Sequence, residues 1–252
     1  MASSRVRGAT LGSPGDELKT ARAVRGLFAA ITPRYDLLNH VLSLGADILW
    51  RREAARALAG TLEQPEALVL DLCCGTGDLA IALSTHGRAT VRGADFCHPM
   101  LRRAEAKAAA RDLRLKFVEA DALQLPFADS SLDAVATAFG FRNLANYARG
   151  LREIRRVLKP GGSLAILEFS HVRWPLFDLL FRFYFRHVLP KLGDWISGVP
   201  GPYRYLRDSV KVFPDQEALA ALMKDEGFAE VGYRNLTGGI AALHTGKKSE
   251  SL

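Results

Sequence analysis

The sequence is poor in cysteine and has no long apolar run. It contains three cysteines among 252 residues, Cys73, Cys74 and Cys97, which is too few for a disulfide framework. They also lack the paired spacing of a zinc site, so a reducing compartment such as the cytoplasm is expected. No apolar stretch approaches the length of a membrane-spanning helix. These absences argue against a disulfide-stapled domain and against an integral membrane protein.

Positive charge is in excess, but no cluster of it selects a partner. The formal net charge is +7, which is compatible with nucleic acid, an anionic membrane surface or an acidic substrate. Arg51, Arg52 and Arg56 follow a helical spacing, and solvated helix faces are the expected place for them. Residues 1–15 are rich in Ser, Arg and Ala and lack an acid, so they are expected to form a disordered tail.

Short apolar runs alternate with helical stretches from residue 67 onward. The predicted strands are Ala67–Leu72, Thr90–Asp95, Leu115–Glu119, Leu132–Ala138 and Ser163–Phe169. Strands that alternate with helices predict a parallel sheet covered on both faces, and right-handed crossovers make that sheet doubly wound. Two further predicted strands, Glu230–Leu236 and Ile240–Thr245, are joined through Gly238-Gly239, which suggests a hairpin.

The rest of the chain is assigned to the same domain, which spans residues 16–252. Residues 16–60 are predicted to be helices that form a lid, with Gly45 ending the second of them. Residues 159–162, the sequence Lys-Pro-Gly-Gly, are expected to be a turn before the fifth strand. Residues 170–212 are a long insertion rich in aromatic residues and arginine.

A glycine-containing turn follows the first predicted strand and opens a helix. It runs from Asp71 to Asp78 and includes Gly75 and Gly77, which let the backbone turn tightly and approach a ligand. Asp95 ends the second strand, where a carboxylate can accept hydrogen bonds from both hydroxyls of a ribose. Gly75, Gly77 and Ala80 also satisfy the dinucleotide pattern G-x-G-x-x-A. The turn therefore indicates a nucleoside-containing cofactor without choosing one.

Further nucleoside contacts are expected after the third and fourth strands. Asp121, followed by Ala122, could hold an adenine amino group, although a turn acid before Pro126 is the simpler interpretation of Asp121 alone. Ala138 and Phe139 end the fourth strand beside the expected cleft.

Other motifs extend the pattern over most of the chain. They are Phe28, Tyr35-Asp36, Asn39, the turn Asp71 to Asp78, Leu125-Pro126-Phe127, Phe139-Gly140-Phe141-Arg142-Asn143-Leu144, Val157-Leu158-Lys159-Pro160-Gly161-Gly162, Leu167-Glu168-Phe169-Ser170, Tyr203-Arg204-Tyr205-Leu206, Ser209, Phe213-Pro214-Asp215-Gln216 and Asn235-Leu236-Thr237-Gly238-Gly239. In these motifs the chain resembles the ubiquinone/menaquinone-biosynthesis C-methyltransferases, in order from about residue 25 to residue 247. The Phe-Gly-Phe-Arg-Asn and Tyr-Arg-Tyr-Leu pieces are the most specific.

The resemblance implies an α/β fold of the class I S-adenosylmethionine-dependent methyltransferases, with a doubly wound seven-stranded sheet whose last strand is antiparallel. It implies S-adenosylmethionine as the donor and a demethylmenaquinol or related polyprenyl quinol as the acceptor. The cofactor contacts carried over by position are Thr76, Asp95, Asp121, Ala122 and Ala138, and Gly75 and Gly77 of the glycine turn join them as candidate cofactor-binding residues. Cys74 replaces the first glycine of the family's turn, and Ala138 stands where serine is common, so one hydroxyl contact is in doubt.

Methylation of a ring carbon needs a group that makes that carbon electron-rich. Loss of a proton from a quinol hydroxyl spreads negative charge onto the ring. The catalytic candidates are Arg142, Asn143 and Tyr35. The Arg142 guanidinium could hold the quinol oxygen and lower its pKa, and a water oriented by Arg142 and Asn143 could accept the proton, since arginine is itself a poor base. Tyr35 with Asn39 could close over the cofactor from the N-terminal helices. A salt bridge is the alternative for Arg142, and packing is the alternative for Tyr35 with Asn39. No metal is expected, because no HExxH motif or ligand cluster occurs.

Three other functions share part of this pattern. An NAD-dependent oxidoreductase shares the glycine turn and Asp95, but no Tyr-x-x-x-Lys pair follows the fourth strand. A nucleic-acid-binding module needs basic and aromatic side chains on an exposed sheet face, whereas these strands are predicted to be buried, so no nucleic acid partner is expected. A methyltransferase of the same fold acting on RNA or another small molecule stays open.

The insertion at residues 170–212 contains an apolar segment that could contact lipid. On a helix over Trp174–Leu189, Asp178, Arg182 and Arg186 form one polar stripe, and nearly every other residue is apolar. This segment is either a core helix or a surface that receives the polyprenyl tail beside anionic headgroups. Tyr203 to Tyr205 either line the acceptor pocket or form a structural loop. Peripheral membrane contact and a homodimer both stay open.

Overall fold

The computed structural model describes residues 8–9, 16–172 and 202–250, with the side chains of residues 38, 42 and 202–204 left out of that description. Most of the expected tail and the whole of the predicted helix Trp174–Leu189 lie outside the described residues. So do the side chains of Tyr203 and Arg204.

Four helices precede the sheet. They are α1 (Glu17–Ile31), α2 (Tyr35–Leu42), α3 (Ala46–Ala57) and α4 (Ala59–Leu62), with a 3₁₀ turn at Thr32–Arg34. The Asp16 side chain caps α1 by accepting a hydrogen bond from the backbone N–H of Lys19 at 3.0 Å. Gly45 closes the end of α2, because its backbone N–H donates to the carbonyl of His40 at 2.8 Å. Leu44 and Gly45 have φ of +52° and +77° and turn the chain directly into α3.

The sheet has seven strands. They are β1 (Leu68–Leu72), β2 (Thr90–Asp95), β3 (Lys116–Glu119), β4 (Leu132–Ala138), β5 (Leu158–Phe169), β6 (Phe228–Leu236) and β7 (Ala241–Lys248). Their order is β3-β2-β1-β4-β5-β7-β6. β1 to β5 pair in parallel, whereas β7 is antiparallel to both β5 and β6. This confirms the expected fold class, including the antiparallel last strand and the final hairpin.

Helices cover both faces of the sheet. Among the described residues, the helices that follow β1 are α5 (Asp78–Ser84), α6 (His98–Ala109), α7 (Tyr147–Val157), α8 (Pro202–Val212) and α9 (Gln216–Asp225). Within β1, Leu70 packs on the side of α7 and α9, whereas Val69 packs on the side of α3 and α5. Alternate strand residues point to opposite faces, and burial on both faces explains the continuous apolar runs in the sequence.

The Lys-Pro-Gly-Gly segment is part of β5 and not a turn before it. Leu158 pairs with Leu132 and Ser163 pairs with Ala134, so residues 159–162 stand opposite a single residue, Asp133. The ladder tolerates this bulge because Gly161 has φ of +73°. Lys159 Nζ also donates a hydrogen bond to Asp133 Oδ1 at 2.7 Å.

Candidate active site

A cleft lies at the carboxyl ends of the parallel strands. It holds about 950 Å³ of empty space, open solvent included, and is lined by residues at the ends of β1, β2, β3 and β4. Loops after adjacent parallel strands converge at this edge, where open α/β sheets bind ligands. Phe28 and Tyr35, from α1 and α2, line the cleft as well. Helices α1 and α2, residues 17–42, are called the lid below.

The turn after β1 brings backbone close to the cleft. Cys73, Gly75 and Gly77 have φ of +55°, +52° and +83°, a region that glycine adopts without strain. Gly75 and Thr76 line the cleft. Gly77 is not among the described lining residues, and a Cβ at this position would lie 3.0 Å from the Cβ of Ala104 in α6. Gly77 therefore permits close helix packing, whereas Gly75 keeps the backbone near a ligand.

Asp95 lies at the end of β2, inside the cleft. It is 7% exposed, and its carboxylate accepts hydrogen bonds from the backbone N–H of Gly75 at 2.9 Å and of Cys97 at 2.8 Å. Burial raises the pKa of Asp95 to about 6, although these hydrogen bonds oppose the shift. The Asp95 carboxylate is therefore held directly against the glycine turn, inside the cleft.

The remaining predicted cofactor residues also line the cleft. Asp121, Ala122 and Ala138 are among its lining residues. The Asp121 Oδ1 atom accepts a hydrogen bond from the backbone N–H of Leu123 at 2.8 Å, which fixes the side chain beyond β3. Asp121 and Asp95 thus stand on adjacent loops, because β3 is the neighbour of β2.

The lid is joined to the glycine turn through Asp36. The Thr76 hydroxyl donates a hydrogen bond to Asp36, and Arg103 Nε and Lys107 Nζ of α6 each lie 3.2 Å from Asp36 Oδ2. Burial alone would raise the pKa of Asp36, but the Thr76 hydrogen bond and the Lys107 charge outweigh burial and lower it. The Thr76 side chain is therefore occupied by the lid.

Two further contacts hold α1 over the cleft. Arg25 pairs with Glu119 at the end of β3. Glu17 accepts hydrogen bonds from Asn146 Nδ2 and Arg149 Nη1, each at 2.9 Å. The lid is thus fixed to the sheet domain at three separate places: Thr76 with α6, Glu119 of β3, and the start of α7.

Arg142 is buried in an ion pair and is not among the described lining residues. It is 5% exposed, and Glu168 is 1% exposed. Arg142 Nη1 lies 2.8 Å from Glu168 Oε1, and the backbone N–H of Arg142 donates to Glu168 Oε2 at 3.1 Å. The guanidinium carbon lies 5.4 Å from the centroid of the Phe169 ring. This geometry is that of a salt bridge that holds the loop, which was the alternative to a catalytic role for Arg142. Direct contact between Arg142 and a substrate stays a prediction.

Asn143 and Tyr35 do line the cleft. The Tyr205 hydroxyl donates a hydrogen bond to Asn143 Oδ1 at 2.8 Å, so α8 fixes the orientation of this amide. Tyr35 makes a hydrogen bond with Asn39, and burial raises its pKa. Burial also raises the pKa of Tyr205 to about 12. Both phenols therefore stay protonated at neutral pH and serve as hydrogen-bond donors.

Two charged residues that line the cleft were missed or misplaced by the sequence analysis. Arg51 was expected on a solvated helix face but is 7% exposed and lines the cleft. The sequence did contain a sign that Arg51 is buried. Arg51 lies three or four residues from Asp47, Ala54 and Ala55, which places all four on one face of α3. Asp71 was noted as the start of the glycine turn but not as a cleft residue, and it is 1% exposed.

The strand order β3-β2-β1-β4-β5-β7-β6 with its antiparallel β7 is that of the class I S-adenosylmethionine-dependent methyltransferases, and the cleft opens beside Asp95 and the glycine turn. Among the residues that the structure describes, no group of three or more His, Cys, Asp or Glu side chains is arranged to hold a metal ion. A family profile described as the ubiE/COQ5 methyltransferase family matches residues 16–248. The chain belongs to that family, which confirms the resemblance seen in the motifs.

Individual relatives agree with the family assignment. A demethylmenaquinone methyltransferase of Thermus thermophilus is 52% identical over 223 residues, which are 88% of this chain and 100% of that protein. A demethylmenaquinone methyltransferase of Deinococcus radiodurans is 49% identical over 235 residues, 93% of this chain and 96% of that protein. A SAM-dependent methyltransferase structure from Thermotoga maritima aligns with a TM-score of 0.64 at 18% identity, covering 90% of this chain and 100% of that one. At that identity, the structural match bears on the fold alone.

Proposed function

We propose that this methyltransferase moves the methyl group of S-adenosylmethionine onto a ring carbon of demethylmenaquinol or a related polyprenyl quinol. The observation that carries the proposal is the cleft, in which the nucleoside residues Asp95 and Asp121 share one space with Tyr35 and Asn143. The names of the relatives supply the acceptor class. The Oδ1 atom of Asp71 is buried without a hydrogen-bond partner among the described residues, and this oxygen and the carboxylate of Asp95 fit the charges and hydroxyls of that donor.

The donor supplies an already activated methyl group when bound, so the protein must align the acceptor and stabilise its phenolate. Tyr35 keeps its proton and donates a hydrogen bond to the acceptor oxygen as negative charge develops there. Asn143 orients the proton-accepting water, because Tyr205 holds its amide in place. Arg142 acts from behind this loop through its positive charge, since the ion pair with Glu168 keeps the guanidinium fixed.

The test is methyl transfer from isotopically labelled donor to a panel of demethylated naphthoquinols and benzoquinols, with mass spectrometry locating the new methyl. The expected result is one methyl on a ring carbon of a quinol. Labelled RNA or an O-methylated phenol as the sole product would contradict the proposal. Thermal shift with S-adenosylhomocysteine and with NAD, in parallel, tests the oxidoreductase alternative, and only the first is expected to raise the melting temperature.

Contact with a membrane surface is part of the proposal, because the acceptor carries a polyprenyl tail. Among the described residues, no helix is long and apolar enough to cross a membrane. The α2–α3 region, however, exposes a group of large apolar side chains: Leu37, Val41, Leu44, Ile48 and Leu49. Leu44 is 89% exposed, and Leu49 is 59% exposed. An apolar group of this kind next to the lid suits a lipid surface.

Co-sedimentation with anionic liposomes tests this surface. A Leu44→Ser/Leu49→Ser variant is expected to bind liposomes more weakly while keeping activity on a short-tailed acceptor. An Ala59→Ser variant, outside the exposed group, serves as the control. Unchanged liposome binding, or a shift from dimer to monomer in sedimentation velocity, would assign the surface to another role.

A further inference from the structure

The Thr76 hydroxyl is engaged by protein partners on both sides, although Thr76 lines the cleft. A threonine hydroxyl has one hydrogen to donate, and Asp36 of the lid accepts it. The Thr76 oxygen in turn accepts a hydrogen bond from Lys107 Nζ at 3.3 Å. Thr76 is 1% exposed, so water does not compete for these bonds. The Thr76 side chain therefore has no hydrogen left for a ligand in the cleft.

Asp36 is the point at which the lid, the glycine turn and α6 meet. Besides accepting the Thr76 hydrogen bond, its Oδ2 atom lies 3.2 Å from Arg103 Nε and 3.2 Å from Lys107 Nζ. Lys107 also pairs with Asp78, the first residue of α5. Charge-assisted hydrogen bonds are stronger than neutral ones. Asp36 is therefore held against the glycine turn more firmly than an exposed ion pair would hold it.

Tyr35, the residue before Asp36, rests on the residue before Thr76. A Cβ atom built on Gly75 would lie 3.8 Å from Cε1 of the Tyr35 ring, which is van der Waals contact. The Phe28 ring of α1 meets the Tyr35 ring edge-on, with centroids 6.0 Å apart. Two consecutive lid residues thus dock side by side on two consecutive residues of the glycine turn. Because both lid residues belong to the first turn of α2, whose backbone geometry is regular, anchoring Asp36 sets the position of Tyr35 in the cleft.

We propose that Asp36 is a positioning residue, which places Tyr35 over the acceptor by accepting the Thr76 hydrogen bond. The Thr76 hydroxyl then serves the lid and not the methyl donor, although the resemblance implies Thr76 as a donor contact. The inference rests on the proposed function, because it takes Tyr35 as the group that donates a hydrogen bond to the acceptor oxygen. Misplacement of a catalytic group by about 1 Å is enough to slow a reaction strongly. Loss of this one bond should therefore lower turnover without weakening donor binding.

Thr76→Val tests the assignment, because it removes the hydroxyl and keeps the branched shape of the side chain. With saturating S-adenosylmethionine and a demethylated naphthoquinol, we expect kcat to fall by about 10-fold, the scale of one lost hydrogen bond to a charged group. Calorimetric affinity for S-adenosylhomocysteine should stay within about twofold of the wild-type value. Thr76→Ser keeps the hydroxyl and should restore kcat. If the hydroxyl instead binds the donor, Thr76→Val will weaken S-adenosylhomocysteine by about 10-fold and leave kcat at saturating donor near normal, which overturns the inference.

Two further sets of variants separate positioning from a general loss of structure. Asp36→Ala/Thr76→Val should lose no more kcat than Asp36→Ala alone, because Asp36→Ala already removes the acceptor of the bond. In a Tyr35→Phe background, Thr76→Val should cause no further fall in kcat, because the hydroxyl that the bond positions is already absent. Thr85→Val removes an exposed hydroxyl that hydrogen-bonds to two carbonyls of α5 and should leave turnover unchanged.

Melting temperatures of all variants report folding, and the pair Thr76→Val and Thr76→Ser carries the test if Asp36→Ala does not fold. An equal fall in kcat for Thr76→Val with and without the Tyr35 hydroxyl would overturn the inference alone. So would an unchanged kcat for Thr76→Val when the wild type is active. If the wild type transfers no methyl group to any quinol, the proposed function fails and the inference falls with it.

Discussion

Removal of the Arg142 side chain should produce a large and pH-dependent loss of stability. Arg142→Ala deletes the ion pair with Glu168 and the guanidinium contact with the Phe169 ring. Both charged side chains are at most 5% exposed, and breaking a buried ion pair by deleting one partner costs about 3–5 kcal/mol. At pH 7.5, we expect a loss of that size in the free energy of unfolding.

The pH dependence follows from the carboxyl group left behind. Burial raises the pKa of Glu168 even while Arg142 opposes the shift, and in the variant that opposition is gone. A group whose pKa is raised in the folded state favours folding at low pH and loses that contribution as pH rises through its folded pKa. The deficit of Arg142→Ala relative to wild type should therefore be smaller at pH 5 than at pH 7.5.

Urea unfolding of a double-mutant cycle measures this coupling. Arg142→Ala/Glu168→Gln leaves no unpaired buried charge and should be more stable than the sum of the two single losses allows. Arg149→Ala, which breaks an exposed pair with Glu17, should cost no more than about 1 kcal/mol. Additive losses in the cycle would refute the buried-pair reasoning. Assayed below its unfolding temperature, Arg142→Ala should show a large fall in turnover with nearly normal affinity for S-adenosylhomocysteine.

Three further outcomes are expected. Asp95→Ala should weaken S-adenosylhomocysteine binding by about 1–3 kcal/mol, measured by calorimetry, and unchanged affinity in the folded variant would remove Asp95 from the donor site. The affinity of the wild type for S-adenosylhomocysteine should be highest above pH 6 and should weaken as the pH falls below 6. Burial raises the pKa of Asp95 to about 6, and a protonated carboxyl group accepts fewer hydrogen bonds from a ribose. An affinity that stays constant between pH 5 and 7 would contradict this expectation. Turnover should survive exhaustive treatment with EDTA, and loss of turnover that Mg²⁺ restores would show that the proton-transfer scheme is wrong.

The sequence predicted the sheet well, because its strands are buried on both faces and end in short turns. Six of the seven predicted strands match the observed ones within two or three residues at each end. The fifth strand was predicted to begin at Ser163, although it begins at Leu158. The Pro160, Gly161 and Gly162 signal is typical of a turn, but these residues form a bulge inside the strand, because Leu158 before them already pairs with Leu132 of β4. Local composition cannot report a bulge that depends on the neighbouring strand.

The candidate site was predicted residue by residue where a motif marked the end of a strand. Asp95, Asp121 and Ala138 fall in the cleft because each stands just at or after the end of a parallel strand. Arg51 was misplaced, since its burial depends on how α3 packs on the sheet, and a basic residue is more often exposed. The pairing of Arg142 with Glu168 joins residues that are 26 positions apart, and the sequence offered no local sign of it.

The three contacts that fix the lid have a consequence for how long a ligand stays in the cleft. Glu17 pairs with Arg149 of α7, Arg25 with Glu119 of β3 and Asp36 with Arg103 of α6, so full opening of the lid breaks all three contacts. The pairs of Glu17 and Arg25 are exposed and each contributes at most about 1 kcal/mol, whereas Asp36 lies deeper. Release of the used donor and entry of a new one therefore require the exposed ion pairs of Glu17 and Arg25 to break, and salt weakens these pairs by screening their charges. The rate of this exchange should therefore rise with ionic strength.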